Sequence, residues 1–294
     1  MIFIANDQDN PPFGLFINAS NFAIMGRINW NGTFANNATN GLEQSIWNPT
    51  NDLFYLSVPE TITNPGGEID VISPITMNVT NVFPLPPGSE PHGLTLGPTQ
   101  RLWVGASQIN GPNGTAVPGT PIFTVIMNAT SGQILNKIMG IGGTDEVWYN
   151  SGDNRFYVCG KITVDGTNNG SATGVIGVID ASSGNYLENI FIPGFNTYLS
   201  IRTAVADPTN NHIYAMLSRS GIGVLTDMLG NFTGQLNGQV TLLNTQMASL
   251  STQLTALSTQ ATSLSSQIST LQGQATTAAQ KSDLNSLSSQ VTSL

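Results

Sequence analysis

Residues 41–58 read GLEQSIWNPTNDLFYLSV. A short run ending in Ile46 and Trp47 meets the cluster Asn48-Pro49-Thr50-Asn51, and an apolar run with two aromatics, Leu53 to Val58, follows it. Pro presets φ and Asn tolerates tight turns, so the cluster reads as a hairpin between two strands. The pattern recurs. "MIFIAND", "DLFYLSV", "RLWVGAS", "RFYVCGK" and "HIYAMLS" align on Phe3, Phe54, Trp103, Tyr157 and Tyr214, at intervals of 51, 49, 54 and 57 residues. Four of them follow a turn cluster: "NPTN", "GPTQ", "NSGDN" or "DPTNN".

Another strand-like run follows each segment: "FGLFINAS", "GEIDVIS", "IFTVIMNAT", "GVIGVIDAS" and "GIGVLTD". Most repeats then add a fourth, as in "FAIMGRINW", "NVTNVFPLP", "QILNKIMGI" and "YLENIFIPG". The unit is four short strands joined by hairpins, the pattern of β-propeller blades set round an axis. Five blades are recognisable; the first lacks its innermost strand and the last its outermost. A β-sandwich with coincidental spacing is the competing architecture.

The phrases "GLEQSIWNPTNDLFYLSVP", "GGEIDVISP", "PHGLTLGP", "DEVWYNSGDNRFYVCG" and "GVIGVIDASSG" resemble secreted propellers of the YVTN/NHL-like class, over residues 1 to about 225. That resemblance implies the fold more than an activity, since the class includes lactonase-like enzymes, binding modules and surface-layer proteins.

The last sixty residues follow another period. Leu236, Val240, Leu243, Met247, Leu250, Leu254, Leu257, Ala261, Leu264, Ile268 and Leu271 recur at gaps of four and three, and Ala275 and Ala278 continue the phase. This is a heptad seam that needs a partner helix. Leu at d favours a parallel homodimer, and the mixed a positions leave a homotrimer open. Leu284, Leu287, Val291 and Leu294 resume the spacing out of step, so "KSDL" at 281–284 is expected to mark a break or a local unwinding. A Ser/Thr linker without helix is the alternative. The fold class is therefore mainly β plus a long α segment: a propeller head over 1–226 and a coiled-coil stalk over 227–294.

Composition narrows the setting. Charged residues make up 9% of the chain, against about 25% in ordinary domains. Between Asp227 and Lys281 there is no Asp, Glu, Lys or Arg. The net charge of −9, with lysine only at Lys137, Lys161 and Lys281, leaves no basic patch for nucleic acid or an anionic membrane surface. A charge-free stalk suits an acidic medium, high salt or a sugar-bearing surface, all outside a cell. The lone Cys159 rules out an intramolecular disulfide and reads as a small buried hydrophobe, with an intermolecular bridge as the alternative. No run reaches membrane-spanning length and residues 1–20 are not a signal peptide. Both ends read as cuts in a longer precursor, with an anchor expected beyond Leu294.

Glycosylation sequons occur at Asn18, Asn31, Asn37, Asn78, Asn113, Asn128, Asn169 and Asn231. In a chain this rich in Asn, Ser and Thr, chance would supply about six, so they permit a glycoprotein without establishing one.

Eleven residues before the aligned aromatics stand Glu43, His92, Glu146 and Thr203, at the starts of the innermost strands. Those starts would ring one mouth of the propeller channel, with Asp145 and Arg202 beside them. Glu43, His92 and Glu146 suit a divalent cation or acid–base chemistry; a water-solvated channel lining is the alternative. Lactonase-like propellers place a metal here on Glu, Asp and Asn side chains, and this chain has few such ligands at matching positions. His212 reads as a surface turn residue, "GIGG" at 140–143 and "NPGG" at 64–67 as turns, and Asp70 and Asp180 as blade-edge or turn residues. There is no GxSxG, Walker A, CxxC or HExxH motif.

The leading expectation is an extracellular structural and interaction protein of the cell envelope. It resembles archaeal surface-layer stalk subunits in its Ser/Thr-rich coiled coil, partners with itself, and meets other envelope proteins or glycans. An extracellular lactonase- or hydrolase-like enzyme with a channel metal is the second reading, and a viral fibre or receptor-binding protein the third.

Overall fold

The computed structural model describes residues 1–7, 9–33, 35–106, 123–139, 141–162, 173–191, 201–217, 221–226 and 228–293. The chain divides into two compact units, Met1–Phe232 and Thr233–Leu294.

Among the described residues the first unit consists of five antiparallel sheets in chain order. The first holds β1 (Ile2–Asn6), β2 (Phe13–Ile17) and β3 (Ile24–Asn29). The second runs β4 (Ser45–Asn48), β5 (Leu53–Val58), β6 (Glu68–Ser73) and β7 (Asn78–Pro84). The third runs β8 (Pro91–Leu96), β9 (Arg101–Ala106), β10 (Phe123–Asn128) and β11 (Ile134–Met139). The fourth runs β12 (Gly142–Asn150), β13 (Arg155–Ile162), β14 (Thr173–Asp180) and β15 (Tyr186–Phe191). The fifth has β16 (Ile201–Ala206), β17 (His212–Leu217) and β18 (Gly221–Thr226). Every neighbouring pair is a hairpin between consecutive strands, as the turn clusters require.

Sheet packs on sheet, which explains the strand sequences. The middle strands are buried on both faces; β6 is buried at every position, its polar Glu68, Asp70 and Ser73 included. The outer β7 alternates and is half solvated. In the second, third and fourth sheets one face packs on the sheet before and the other on the sheet after. Phe54, Leu56 and Ile72 join Phe3, Phe16 and Ile28 of the first sheet. Tyr55, Ile69 and Val71 join Leu102, Val104 and Phe123 of the third. Trp103 and Ile126 join Phe156 and Val158 of the fourth. Tyr157, Cys159 and Val178 join Ile213 and Ala215 of the fifth.

These clusters correct the alignment of the repeats. The residues facing the next sheet are Phe3, Tyr55, Trp103 and Tyr157, so Tyr55, not Phe54, is the second sheet's equivalent. Phe54 instead matches Leu102 and Phe156, which face backwards. Tyr55, Trp103 and Tyr157 are at most 1% exposed. Truncating one of them to Ala should cost about 3–5 kcal/mol. Across the fifth sheet the corresponding face is open: Val205, Met216, Ile222 and Val224 are 41–68% exposed. The first sheet leaves Ile2, Ile4 and Ile24 exposed on its outward face.

Polar ties cross between sheets at the turns. Asn48 Nδ2 donates to Gln100 Oε1 at 2.6 Å, and Asn150 Nδ2 donates to Asn211 Oδ1 at 3.0 Å. Tyr55 Oη donates to the Ala129 carbonyl at 2.6 Å. At Gly93 two sheets approach closely: a Cβ there would lie 2.9 Å from the Asp145 carbonyl and the Glu146 Cα.

The second unit belongs to one helix, α1 (Met228–Thr292), of 65 residues and about 98 Å at 1.5 Å per residue. It continues through Lys281 to Leu284, so the phase slip is taken up without a break. Leu236 and Asn231 fall on it, and Leu294 lies outside the described residues.

Some local expectations change. Gly142 and Gly143 open β12 rather than forming a turn. His212 is the half-buried first residue of β17, its ring 6.5 Å from Tyr214, rather than a surface turn residue. "NPGG" is a turn, with Asn64 and Gly67 amides hydrogen-bonded to the Thr61 and Asn64 carbonyls.

Candidate functional site

The first strands of the second to fifth sheets share an irregularity near their starts. Glu43 and Gln44 both bond across to Ser57, and the pairing shifts between Pro91 and Leu94, Gly142 and Glu146, and Ile201 and Ala204. An extra residue there turns neighbouring side chains to different sides. Counted back from the turns, Glu43, His92, Asp145 and Arg202 occupy one position, and Gln44, Gly93, Glu146 and Thr203 the next.

The side chains follow this division. His92 Nδ1 lies 3.2 Å from Glu43 Oε1, with the two side chains 20% and 31% exposed. The Glu43 carboxyl is pushed from 4.5 to about 7, first by burial and then by the charges of Asp7, Asp145 and Glu90. Gln44 accepts from the Leu94 amide and donates to the Asp145 carbonyl, lashing three sheets together. Glu146 instead accepts from Thr203 Oγ1. Asp7 accepts from the Leu42 amide at 3.1 Å, and Glu90 accepts from Asn40 Nδ2 at 2.8 Å.

The structure thus brings Glu43 and His92 together and sends Glu146 to a different partner. Among the described residues no three His, Cys, Asp or Glu side chains form a group able to hold a metal ion. What the cluster offers is an acidic, hydrogen-bonding surface with one carboxyl that titrates near neutrality. The sequence set Asp145 beside the same mouth and gave no sign of Asp7 and Glu90 as Glu43's electrostatic neighbours. Asp145 takes Glu43's own position once the aromatics are aligned on Tyr55 and the extra residue is allowed for.

A second polar cluster is buried. Asp70 is 0% and Glu68 1% exposed, two residues apart on one face of β6. Trp30 Nε1 donates to Asp70 Oδ2 at 2.7 Å. Asn36 Nδ2 donates to Glu68 Oε1 at 2.8 Å, and Thr61 and Asn64 donate to Oε2. Asp70 is therefore a core residue that anchors Trp30 and not a blade-edge residue. Asp180 does serve a turn: its Oδ1 accepts from the Ser183 amide and hydroxyl.

That turn accounts for two sequons. Asn18 accepts from the Ser20 amide, and Asn128 from the amides of Thr130 and Ser131, at the strand end where Ser73 and Asp180 cap their own turns. An acceptor followed by small hydroxyl residues is what the turn needs. Asn31 and Asn78 are exposed and Asn37 half-buried; Asn113 and Asn169 lie outside the described residues. Cys159 is 1% exposed, and burial pushes its thiol far up, with Glu146 and Asp145 adding to the effect.

On the helix the seam is bare. Val240, Leu243, Met247, Leu250, Leu254, Leu257, Leu264, Ile268 and Leu271 are 46–68% exposed. Among the described residues no helix is long and apolar enough to cross a membrane.

No family model matches this chain, and no curated protein matches it. Its fold does have solved relatives. Hydrazine synthase of Kuenenia stuttgartiensis superposes with a TM-score of 0.52 at 15% identity, over 70% of this chain and 49% of that one. The chain spans about half the length of that structure, and the likeness is one of fold. The class defined is a mainly β protein of five antiparallel sheets with a long C-terminal helix.

Proposed function

We propose that this chain is an extracellular structural and interaction protein of a cell envelope. Its five sheets act as blades of a β-propeller-like head, and its helix is one strand of a self-associating coiled-coil stalk. The observation that carries the proposal is the exposed seam: six leucines at d from Leu236 to Leu271, with the described ones bare to solvent. A 65-residue helix with this stripe and mediocre helix formers on its flanks depends on a partner helix. The head supports the reading through its repeated face-to-face packing. The setting follows from the shortage of charged residues, 9% of the chain and none between Asp227 and Lys281: assembly that does without charge works in acid or high salt. The sequons and any envelope partners or glycans belong to the same proposal.

Surface labelling of intact source cells tests it. A membrane-impermeant amine reagent should tag the protein on whole cells, and the protein should fractionate with the envelope. Recovery in the cell interior, untagged until lysis, overturns the proposal.

The Glu43–His92 pair favours a second reading, a propeller hydrolase. A carboxyl at about 7 beside an imidazole can exchange protons with a bound lactone or ester near neutral pH. Turnover on a lactone and ester panel that disappears in Glu43→Gln would favour this reading.

A further inference from the structure

The flanks of the seam are as regular as the seam. With Val240 as a, the g positions are Gln239, Gln246, Gln253, Gln260, Gln267 and Gln274: glutamine six times in succession, once per heptad. The e positions are Asn244, Ser251, Ser258, Ser265 and Gln272. The other hydroxyls are used differently. Thr245, Thr252, Thr255, Thr259, Thr262, Ser266, Ser269, Thr270, Thr276 and Thr277 each donate to their own helix's carbonyl four residues back. All ten stand at b, c or f, on the side away from the seam. Threonine, the residue best suited to that back-bond, is absent from these e positions.

We infer that the glutamines at g pair with the e residues of a second copy of this chain, forming an uncharged ladder that holds the stalk helices parallel. In a parallel coil each g residue faces the partner's e residue five positions on. Gln239 then meets Asn244, Gln246 meets Ser251, Gln253 meets Ser258, Gln260 meets Ser265 and Gln267 meets Gln272 of the other copy. Four of these rungs set a long amide against a shorter side chain, which fits a constant helix spacing, and each offers a donor and an acceptor. An antiparallel coil would set glutamine against glutamine on one side and serine against serine on the other, where serines are too short to meet. Charged g–e pairs perform this orienting task in ordinary coils and fail when salt screens them or acid protonates them. Amides and hydroxyls do neither.

The inference rests on the self-association proposed above, and cysteine pairing in the full chain separates the two. In a Cys159→Ala background, chains carrying Q253C are mixed with chains carrying S258C, unfolded, refolded together and mildly oxidised. The ladder gives a mixed disulfide dimer at about tenfold or more over either self-pair. A second arm measures mass by light scattering. The unmodified chain should keep its assembled mass between about pH 3 and 8 and between about 0.1 and 2 M NaCl. The triple variant Q246E, Q253E, Q260E should dissociate at least about tenfold more readily at the upper pH than at the lower. An assembled chain with strong Q253C self-pairing, or one that falls apart in salt, overturns the ladder and leaves self-association standing. A monomer under all conditions overturns both.

Discussion

Replacing Asp70 with asparagine should flatten the head's dependence of stability on pH. Asp70 is fully buried, and its carboxyl is pushed from 3.8 to about 8 by burial first and by the Glu68 charge second, against the pull of the Trp30 hydrogen bond. Between those values the folded chain keeps a proton that the unfolded chain releases. The stabilising contribution is therefore complete below about pH 4, declines as pH rises and is lost above about pH 8. One proton is worth about 1.4 kcal/mol per pH unit, so the span sets a ceiling of about 6 kcal/mol. Sharing of charge with Glu68 brings the expected loss nearer about 3 kcal/mol. The substituted amide keeps an acceptor for Trp30 and offers Glu68 a donor, as the protonated acid does, without a charge to bury. The assay is urea unfolding of the full chain followed by tryptophan fluorescence, since Trp30, Trp47, Trp103 and Trp148 all lie in the head. The native head should lose stability from pH 4 to 8, and Asp70→Asn should lose about 3 kcal/mol less. Equal losses in the two chains, or a native head that gains stability as pH rises, would refute the reasoning.

Other consequences are open to measurement. Asn48→Ala removes both the turn cap to Thr50 and the tie to Gln100 inside a buried site, and calorimetry should show a loss of about 1–3 kcal/mol. Gly93→Val forces a side chain against the Asp145–Glu146 backbone, so the melting temperature should fall by several degrees or the head should misfold. The Cys159 thiol is buried and held protonated, so an aromatic disulfide reagent should label it only after denaturation; fast labelling of the folded chain would show that the core around it opens. Ile222→Asp or Val224→Asp, on the open face of the fifth sheet, should leave head stability within about 0.5 kcal/mol if that face is solvated in the isolated chain, as urea unfolding would show.

Strand count and hairpin order were legible because proline, asparagine and glycine have few conformations to choose from. "NPTN", "NSGDN" and "DPTNN" mark turns whatever surrounds them. Registration of one sheet on the next was less legible. Phe54 and Tyr55 are adjacent aromatics, and periodicity cannot tell which faces forward; only packing of Tyr55 on Leu102 and of Phe54 on Phe3 decides it. The extra residue near each first strand's start then separated Glu146 from Glu43 and His92. Asp70 shows another limit. In "GEIDVIS" it looks like an edge residue, and its burial depends on Trp30, forty residues away. The helix was readable from its seam, because a heptad period sets one apolar stripe along its length.

Self-association through the seam is most directly tested by the mass of the full chain in solution. Light scattering on the purified 31.0 kDa chain should give two or three times that mass, and Leu250→Asp with Leu257→Asp should return it to one. A native chain that stays at 31.0 kDa through the micromolar range would contradict the stalk.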